Sequence, residues 1–376
     1  MKSDRGRPTD GICSVTHGDG SNPVIQRTLK VVAANSSACA FLYWDRLGKR
    51  LFHPPPDVRC LPVLKGGGRR NLKIPLLLPL FWLKAILLLL RIRPRLVYAH
   101  AFEAAVAAWV ARRVAGIPYI YHIHDNISIS HKWTRGARAF LEWVDLHLIR
   151  DAERVVLPDL CRMLPSYKSH AGKFVILPNA TDVLFRLPPV SAESGRPLTV
   201  AALGSLEITR GLGLLLSATE NNREVRVIAA GHVREESAAH AISRQPNWDY
   251  RGLVPHAEVE RIYAEADVVF LFYKPDLEIN RLAVSIKLPE ALAAGRPVLI
   301  NDEVQFSKRI LEWGVGYSCA YDIAALRKCL AVIARNRSDL SERSRRALAI
   351  YERELKWNVH KPKLEEMLRE GGLVTK

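Results

Sequence analysis

SIKLPEALAAGRPVLI, residues 285–300, reads as a short helix, a stop and a strand within sixteen positions. Ser285 is a candidate N-cap, Gly295 stands where a helix ends in the left-handed conformation, and Pro297 leads into the apolar run that closes at Asn301. A helix that delivers the chain into a buried apolar strand is half of a βαβ unit. The segment therefore argues for an α/β domain with a parallel sheet.

On either side of this segment, apolar strand-like runs at Leu198 to Leu203, Val225 to Ala230, Val268 to Phe272 and Pro297 to Asn301 alternate with helical patterns. The first half repeats this alternation. Gly11 to Thr16, Cys39 to Trp44, Leu96 to His100, Tyr119 to His124, Arg154 to Pro158 and Phe174 to Leu177 read as strands. Pro23 to Ala34, Glu103 to Ala115 and Arg138 to Asp151 read as helices, the first with Pro at its first turn. The expected organisation is one doubly wound domain over residues 1–186, a linker rich in Pro, Ser and Gly over 187–197 and a second such domain over 198–350. A C-terminal helix over 351–376, interrupted near Pro362, is expected to pack back on the first domain. Two domains also suit a length of 376 residues.

The net charge of +17 calls for an anionic partner: nucleic acid, a membrane surface or a phosphorylated substrate. Arg69, Arg70 and Lys73 precede, and Arg91, Arg93 and Arg95 follow, the apolar run Ile74 to Leu90, which contains Trp82. That run is shorter than the ~20 residues of a spanning helix and carries Pro75, Pro79 and Lys84, so it is not read as transmembrane. Its composition fits a helix lying in the headgroup region, where each basic residue contributes about 1 kcal/mol against anionic lipid. The other reading is a buried core helix with solvated basic flanks. Six scattered cysteines without a C-x-x-C pair, and a polar start from Met1 to Asp10, lead to the expectation of a reducing, cytoplasmic setting.

Three elements carry candidate chemistry. Lys287 and Glu290 are three apart and share a helix face, where a cation suits a diphosphate and a carboxylate accepts from the hydroxyls of a ribose. Without a ligand the same spacing is an ion pair. Gly204-Ser205, followed by Arg210-Gly211, comes after a strand and opens a helix whose N–H groups would face phosphate. It does not have the G-x-G-x-x-G spacing of dinucleotide sites. Arg251-Gly-Leu253-Val254-Pro255 forms a turn whose backbone is available to a base edge. In the first half, His122 and His124 fall on one face of a strand. A metal site with Asp125 is conceivable but lacks a third ligand cluster with zinc spacing. The preferred reading has His124 bonded to substrate, with Asp125 fixing its tautomer or ending the strand.

Together these elements resemble family 4 of the retaining glycosyltransferases, which have the GT-B fold. Gly204…Arg210-Gly211 is similar to that family's G-x-x-x-x-x-K/R-G turn, and Arg251 to Pro255 to its base-binding loop. Glu290-Ala-Leu-Ala-Ala-Gly295-Arg-Pro297-Val298 is similar to its E-A-x-A-x-G-x-P-V signature. His122-Ile-His124-Asp125 resembles its H-D strand end, and Pro178-Asn179-Ala180-Thr181-Asp182 its P-N-G-x-D turn.

The resemblance implies two Rossmann-like domains facing across a cleft and a metal-independent hexosyl transfer without a cofactor. In it Gly204, Ser205, Arg210, Gly211 and Lys287 bind the donor diphosphate, and Glu290 takes ribose or sugar hydroxyls. Leu253 and Val254 take the base, while His124, Asp125, Lys287 and Glu290 serve catalysis. Where the family often shows a first carboxylate, eight positions before Glu290, this chain has Leu282.

The expected activity is transfer of a sugar, with retention, from a UDP- or GDP-linked donor to a glycan or polyprenyl-linked acceptor. Bacterial surface or exopolysaccharide synthesis at the inner-leaflet membrane surface is the expected setting, and nucleic acid is not an expected partner. A nucleotide-sugar epimerase of the same fold and a non-catalytic basic protein binding membrane or nucleic acid are the alternatives.

Overall fold

The computed structural model describes residues 9–46, 52–67, 73–185, 187–191, 195–233 and 235–370. Arg69, Arg70, Arg186 and part of the 187–197 segment lie outside the described residues. The chain divides into two compact units, Met1–Pro178 with His360–Lys376, and Asn179–Val359.

The first unit runs β1 (Thr9–Thr16), α1 (Pro23–Ala34), β2 (Cys39–Asp45), β3 (Val58–Lys65), α2 (Lys73–Ile92), β4 (Pro94–His100), α3 (Ala101–Ala115), β5 (Tyr119–His122), α4 (Arg135–Asp151), β6 (Arg154–Leu157) and β7 (Phe174–Ile176). Its seven parallel strands lie in the order β3-β2-β1-β4-β5-β6-β7. Every residue of β2 is buried, as expected where helices cover both faces of a parallel sheet. The β3 strand was not legible in the sequence: it is an edge strand of mixed burial containing Pro62, a residue the edge of a sheet tolerates.

Strand order reverses between β1 and β4. The crossovers from β3 to β6 all run one way, so right-handed connections set α2, α3 and α4 side by side on one face. Trp82 Nε1 donates to the Glu103 carbonyl at 2.9 Å, tying α2 to α3, and Trp109 Nε1 donates to Asp151 Oδ2 at 2.7 Å, tying α3 to α4.

At twenty residues α2 is longer than the run read from sequence, and Pro79 lies inside it. By length and composition alone, Pro75–Ile92 is able to cross a membrane, and 17% of that window is buried. Phe81, Ala85 and Leu89 form the buried side. Leu76, Leu80, Leu83 and Leu87 face outward, so the reading of α2 as a buried core helix does not hold.

The second unit runs β8 (Leu198–Leu206), α5 (Leu212–Thr219), β9 (Val225–Val233), α6 (Glu236–Ser243), β10 (Trp248–Tyr250), α7 (His256–Glu265), β11 (Val268–Leu271), α8 (Glu278–Arg281), α9 (Leu288–Ala293), β12 (Val298–Asn301), α10 (Ser307–Trp313), β13 (Gly316–Cys319), α11 (Ile323–Arg335) and α12 (Arg337–Ile350). All six strands are parallel, in the order β10-β9-β8-β11-β12-β13, with the reversal between β8 and β11. Asp267, fully buried, binds Arg337 Nη1 at 2.8 Å, Arg196 Nη1 at 3.0 Å and the Thr199 N–H at 2.8 Å. It thereby ties α12 to the start of β8.

The segment after Pro178 is bonded into this unit: Thr181 N donates to the Leu355 carbonyl at 3.0 Å, and Val190 N to Ser344 Oγ at 2.8 Å. Trp357 N in turn donates to the Thr181 carbonyl at 3.0 Å. This pairing pulls Lys356 into extended backbone and places the helix break there, not near Pro362, which lies within α13 (Trp357–Glu370). The far end of α13 belongs to the first unit, where Arg95 Nη1 donates to the Leu368 carbonyl at 3.2 Å and Arg154 pairs with Glu370.

Candidate functional site

In parallel sheets the carboxyl ends of the strands at the point of reversal leave a crevice that no helix fills. In the second unit that point lies after β8 and β11. Gly204 (φ +93°) pairs in register with Gly231 of β9 (φ +141°), and a Cβ on Gly231 would lie 1.8 Å from the Gly204 carbonyl oxygen. Over Gly204 passes the Lys287 side chain, whose Cε is 3.3 Å from where a Gly204 Cβ would stand. Backbone and cation thus meet with no side chain between them. Gly211 (φ +74°) is the N-cap of α5, and a Cβ there would meet Phe272 Cβ at 2.8 Å. The N–H groups that open α5 have no side-chain cap, as suits an anion seat.

Around this turn, Lys287 Nζ lies 3.6 Å from Glu290 Oε2, and Tyr263 OH donates to the same oxygen at 3.5 Å. Burial, then the Glu290 charge, raises the Tyr263 pKa, so the phenol keeps the proton it donates. The Arg210 guanidinium stacks 4.5 Å from the Tyr273 ring centroid and lies 3.8 Å from Glu207. Ser205 Oγ donates to Glu207 Oε1 at 3.2 Å. Tyr273 and Tyr263 were missed in the sequence, where one is an aromatic at the end of an apolar run and the other an aromatic inside a charged helix. Their roles depend on the reversal of strand order. Ser285 is not the cap of α9: Lys287 holds that position, and Ser285 Oγ accepts from Lys287 N at 3.1 Å. Leu282 is buried.

In the 251–255 turn, Leu253 is 79% exposed while Val254 packs on the core of its unit, so only Leu253 is presented outward. Arg251 is held by Asp249 and Glu265, each 2.8 Å from its Nη2, and these partners raise its pKa.

In the first unit the reversal lies after β1 and β4. Thr16 Oγ1 and Asp19 Oδ1 accept from the Gly18 and Ser21 N–H groups, and Asn22 caps α1. His17 Nδ1 lies 3.1 Å from Glu103 Oε2, in the first turn of α3. Ala101, which joins β4 directly to α3, has φ +67°, a strained conformation for a residue with a Cβ.

The β4/β5 register sets His100 opposite His122. His100 Nδ1 lies 3.2 Å from His124 Nε2, Tyr98 OH 3.0 Å from His122 Nδ1, and Thr28 Oγ1 3.5 Å from His100 Nε2. Thr28 spends its own proton on the Val24 and Ile25 carbonyls, so it accepts from His100 Nε2–H. The lone pair of His100 is then at Nδ1 and accepts from His124 Nε2–H, which leaves the His124 lone pair at Nδ1. Burial above all lowers the His124 pKa to about 4 and depresses those of His100 and His122. All three rings are neutral near pH 7.

Of the two roles expected of Asp125, fixing the His124 tautomer or ending the strand, the first does not hold. The Asp125 carboxylate is mostly exposed and pairs with Arg162 Nη1 at 3.1 Å. The orienting partner of His124 is His100, on the neighbouring strand and therefore invisible to local spacing. For a metal, the geometric group is likewise His100, His122 and His124, whose ring nitrogens lie within 4.8 Å of one another, and not Asp125.

Residues 31–161 match the family model described as a glycosyl transferase 4-like domain, and residues 210–368 the one described as glycosyl transferase-like. No curated protein sequence matches the chain significantly. Among solved structures, sucrose-phosphate synthase from Thermosynechococcus elongatus superposes with a TM-score of 0.79 at 12% identity, over 97% of this chain and 100% of that one. Anabaena HepE in complex with UDP-glucose gives 0.70 at 14%, over 96% and 99%. WaaG, a glycosyltransferase involved in lipopolysaccharide biosynthesis, gives 0.69 at 13%, over 95% and 99%. Two doubly wound parallel sheets, two matched domains spanning well over half of the chain and these neighbours lead to one conclusion: the chain belongs to the family 4 group of glycosyltransferases with the GT-B fold.

Proposed function

We propose that the protein transfers a hexose, with retention and without a metal, from a UDP- or GDP-linked donor to a glycan or polyprenyl-linked acceptor in bacterial surface polysaccharide synthesis. The observations that carry the donor half are Lys287 passing over the bare Gly204 near the end of β8 with Glu290 beside it, and Arg210 directly before the α5 N-terminus, which no side chain caps. HepE, a fold neighbour, has been seen with UDP and with UDP-glucose, which supports the choice of nucleotide. Arg210, Lys287 and the α5 N–H groups stabilise the negative charge that develops as the diphosphate leaves. Glu290, steadied by Tyr263, accepts from donor hydroxyls, and Leu253 lies against the base.

His124 acts as a neutral hydrogen-bonding group toward substrate through Nδ1. Attack on the same face as departure requires no protein nucleophile. Metal independence is supported by the pairing of the His100 and His124 nitrogens with each other and of His122 with Tyr98. The protein works in the cytoplasm at the membrane surface; contact with that surface is supported by the outward leucines of α2 with Lys84 and Arg91 beside them.

Thermal unfolding with UDP, GDP, ADP and NAD, each at about a hundred times its dissociation constant, tests this, since bound ligand then adds ~2.7 kcal/mol. UDP or GDP is expected to stabilise the protein, and Lys287→Ala or Glu290→Ala to abolish both that shift and turnover. Stabilisation by NAD alone, or turnover unchanged in a folded Lys287→Ala protein, overturns the assignment. Turnover unaffected by EDTA is expected, and conversion of the donor without any acceptor would favour an epimerase.

A further inference from the structure

The outward leucines of α2 have a counterpart two helices away. On α4, Phe140 is 62% and Trp143 57% exposed, and Trp133 is exposed in the turn before it. Gly136, Phe140, Trp143 and His147 follow one another at the i, i+4, i+7, i+11 spacing of Leu76, Leu80, Leu83 and Leu87, so each set forms one stripe along its helix. The rings support each other: Phe140 stacks on Trp143 at 6.1 Å, and Trp143 lies 4.3 Å from His147.

This face is not the by-product of a loosely seated helix. Leu148 and Ile149 bury the opposite side of α4, where Asp145 accepts from Tyr121 OH at 2.8 Å and also from Tyr167 OH. The aromatic stripe is therefore held outward by a fixed underside.

Helix α3, Ala-rich and largely buried, lies between α2 and α4 in the same layer, so the two stripes form parallel ridges on one side of the first unit. Charge identifies what covers them. Among the described residues, the exposed charged side chains of α2, α3 and α4 are Lys84, Arg91, Arg113, Arg135, Arg138 and Arg150, all cations, of which Arg113 and Arg150 pair with Asp151, while the carboxylates of these helices are half-buried or buried. A protein partner would be met by mixed charge. A glycan stacked on aromatics would be met by side chains that accept from its hydroxyls. Aromatic and leucine ridges in a field of one sign match an anionic lipid surface, with the rings at headgroup depth and the cations at the phosphates.

We propose that Phe140 and Trp143 insert into an anionic bilayer together with the leucines of α2, so that the whole α2–α3–α4 face lies on the membrane. This rests on the membrane reading of α2 and extends it to a second helix. The test is co-sedimentation of the full chain with vesicles of phosphatidylcholine, alone or mixed equally with phosphatidylglycerol. Three proteins are compared: the unaltered chain, Phe140→Ser/Trp143→Ser and Leu80→Ser/Leu83→Ser, each shown to be folded by its melting profile and its UDP-induced shift.

The unaltered protein is expected on the anionic vesicles, with each double variant bound about tenfold or more weakly. Arg135→Gln/Arg138→Gln is expected to weaken anionic binding about fivefold per charge, from ~1 kcal/mol each. If the α4 variant binds as well as the unaltered chain while the α2 variant does not, the α4 inference is wrong and the α2 reading stands. If the unaltered chain ignores anionic vesicles, both fall. Equal binding to neutral vesicles overturns the charge argument.

Discussion

Acidification from pH 6.5 to 5 is expected to destabilise the protein through His124, and the size of the effect follows from its surroundings. Burial holds this imidazole at a pKa of about 4, against an ordinary 6.5. Above pH 6.5 the ring is neutral whether the chain is folded or not, so its contribution to stability is fully present. Below 6.5 the unfolded chain takes up a proton that the folded one refuses, and stability falls until the folded group also titrates near pH 4. Over one and a half pH units, at ~1.36 kcal/mol per unit, the loss is about 2 kcal/mol from this residue. His100 and His122, depressed by the same burial, act in the same direction. The assay is urea unfolding followed by tryptophan fluorescence at several pH values, with His124→Gln as the reference. The variant shifts absolute stability, but the slope between pH 6.5 and 5 is the quantity read, and the unaltered chain should lose about 2 kcal/mol more. Parallel slopes would mean a solvated imidazole of ordinary pKa. That would refute both the depressed pKa of His124, whose ring is partly exposed beside the buried His100 and His122, and the neutral role given to it.

Further outcomes follow from the backbone and the buried charge. Gly231→Ala puts a Cβ into the Gly204 carbonyl and should cost about 3 kcal/mol or more, with loss of the UDP-induced shift; Gly213→Ala, exposed in α5 with open space around its Cβ, should raise stability by ~0.5–1 kcal/mol. Melting temperatures of the two variants check both. Asp267→Ala leaves the buried Arg337 guanidinium without its counter-charge and should cost about 3–5 kcal/mol, read as a lowered denaturation midpoint.

Much of the fold was legible because its signals are local. Pro23 in the first turn marks the start of α1, which begins there. Gly295 after an apolar helix marks a left-handed stop, and its φ is +64°. Continuous apolar runs mark strands covered on both faces. Capping, propensity and periodicity act over a few residues, and so can be read in one pass along the chain. The pairing of Lys287 with Glu290 was equally legible, since three residues span less than one helical turn.

What remained hidden depends on contacts between distant segments. The partner of His124 is His100, 24 positions away, because the register of β4 against β5 brings their ends together. Asp125, adjacent in sequence, turns to Arg162 instead. Arg210 finds Tyr273 only because strand order reverses between β8 and β11, and the helix break lies at Lys356 only because Thr181 pairs there. The outward turn of the α2 leucines depended on which side α3 would cover. Local signals along the chain settled most of the elements and their order, β3 and the break at Lys356 excepted. Tertiary structure decided which side chains converge and which apolar faces stay uncovered, because strand register and helix packing are set by burial summed over the whole unit, not by neighbours along the chain.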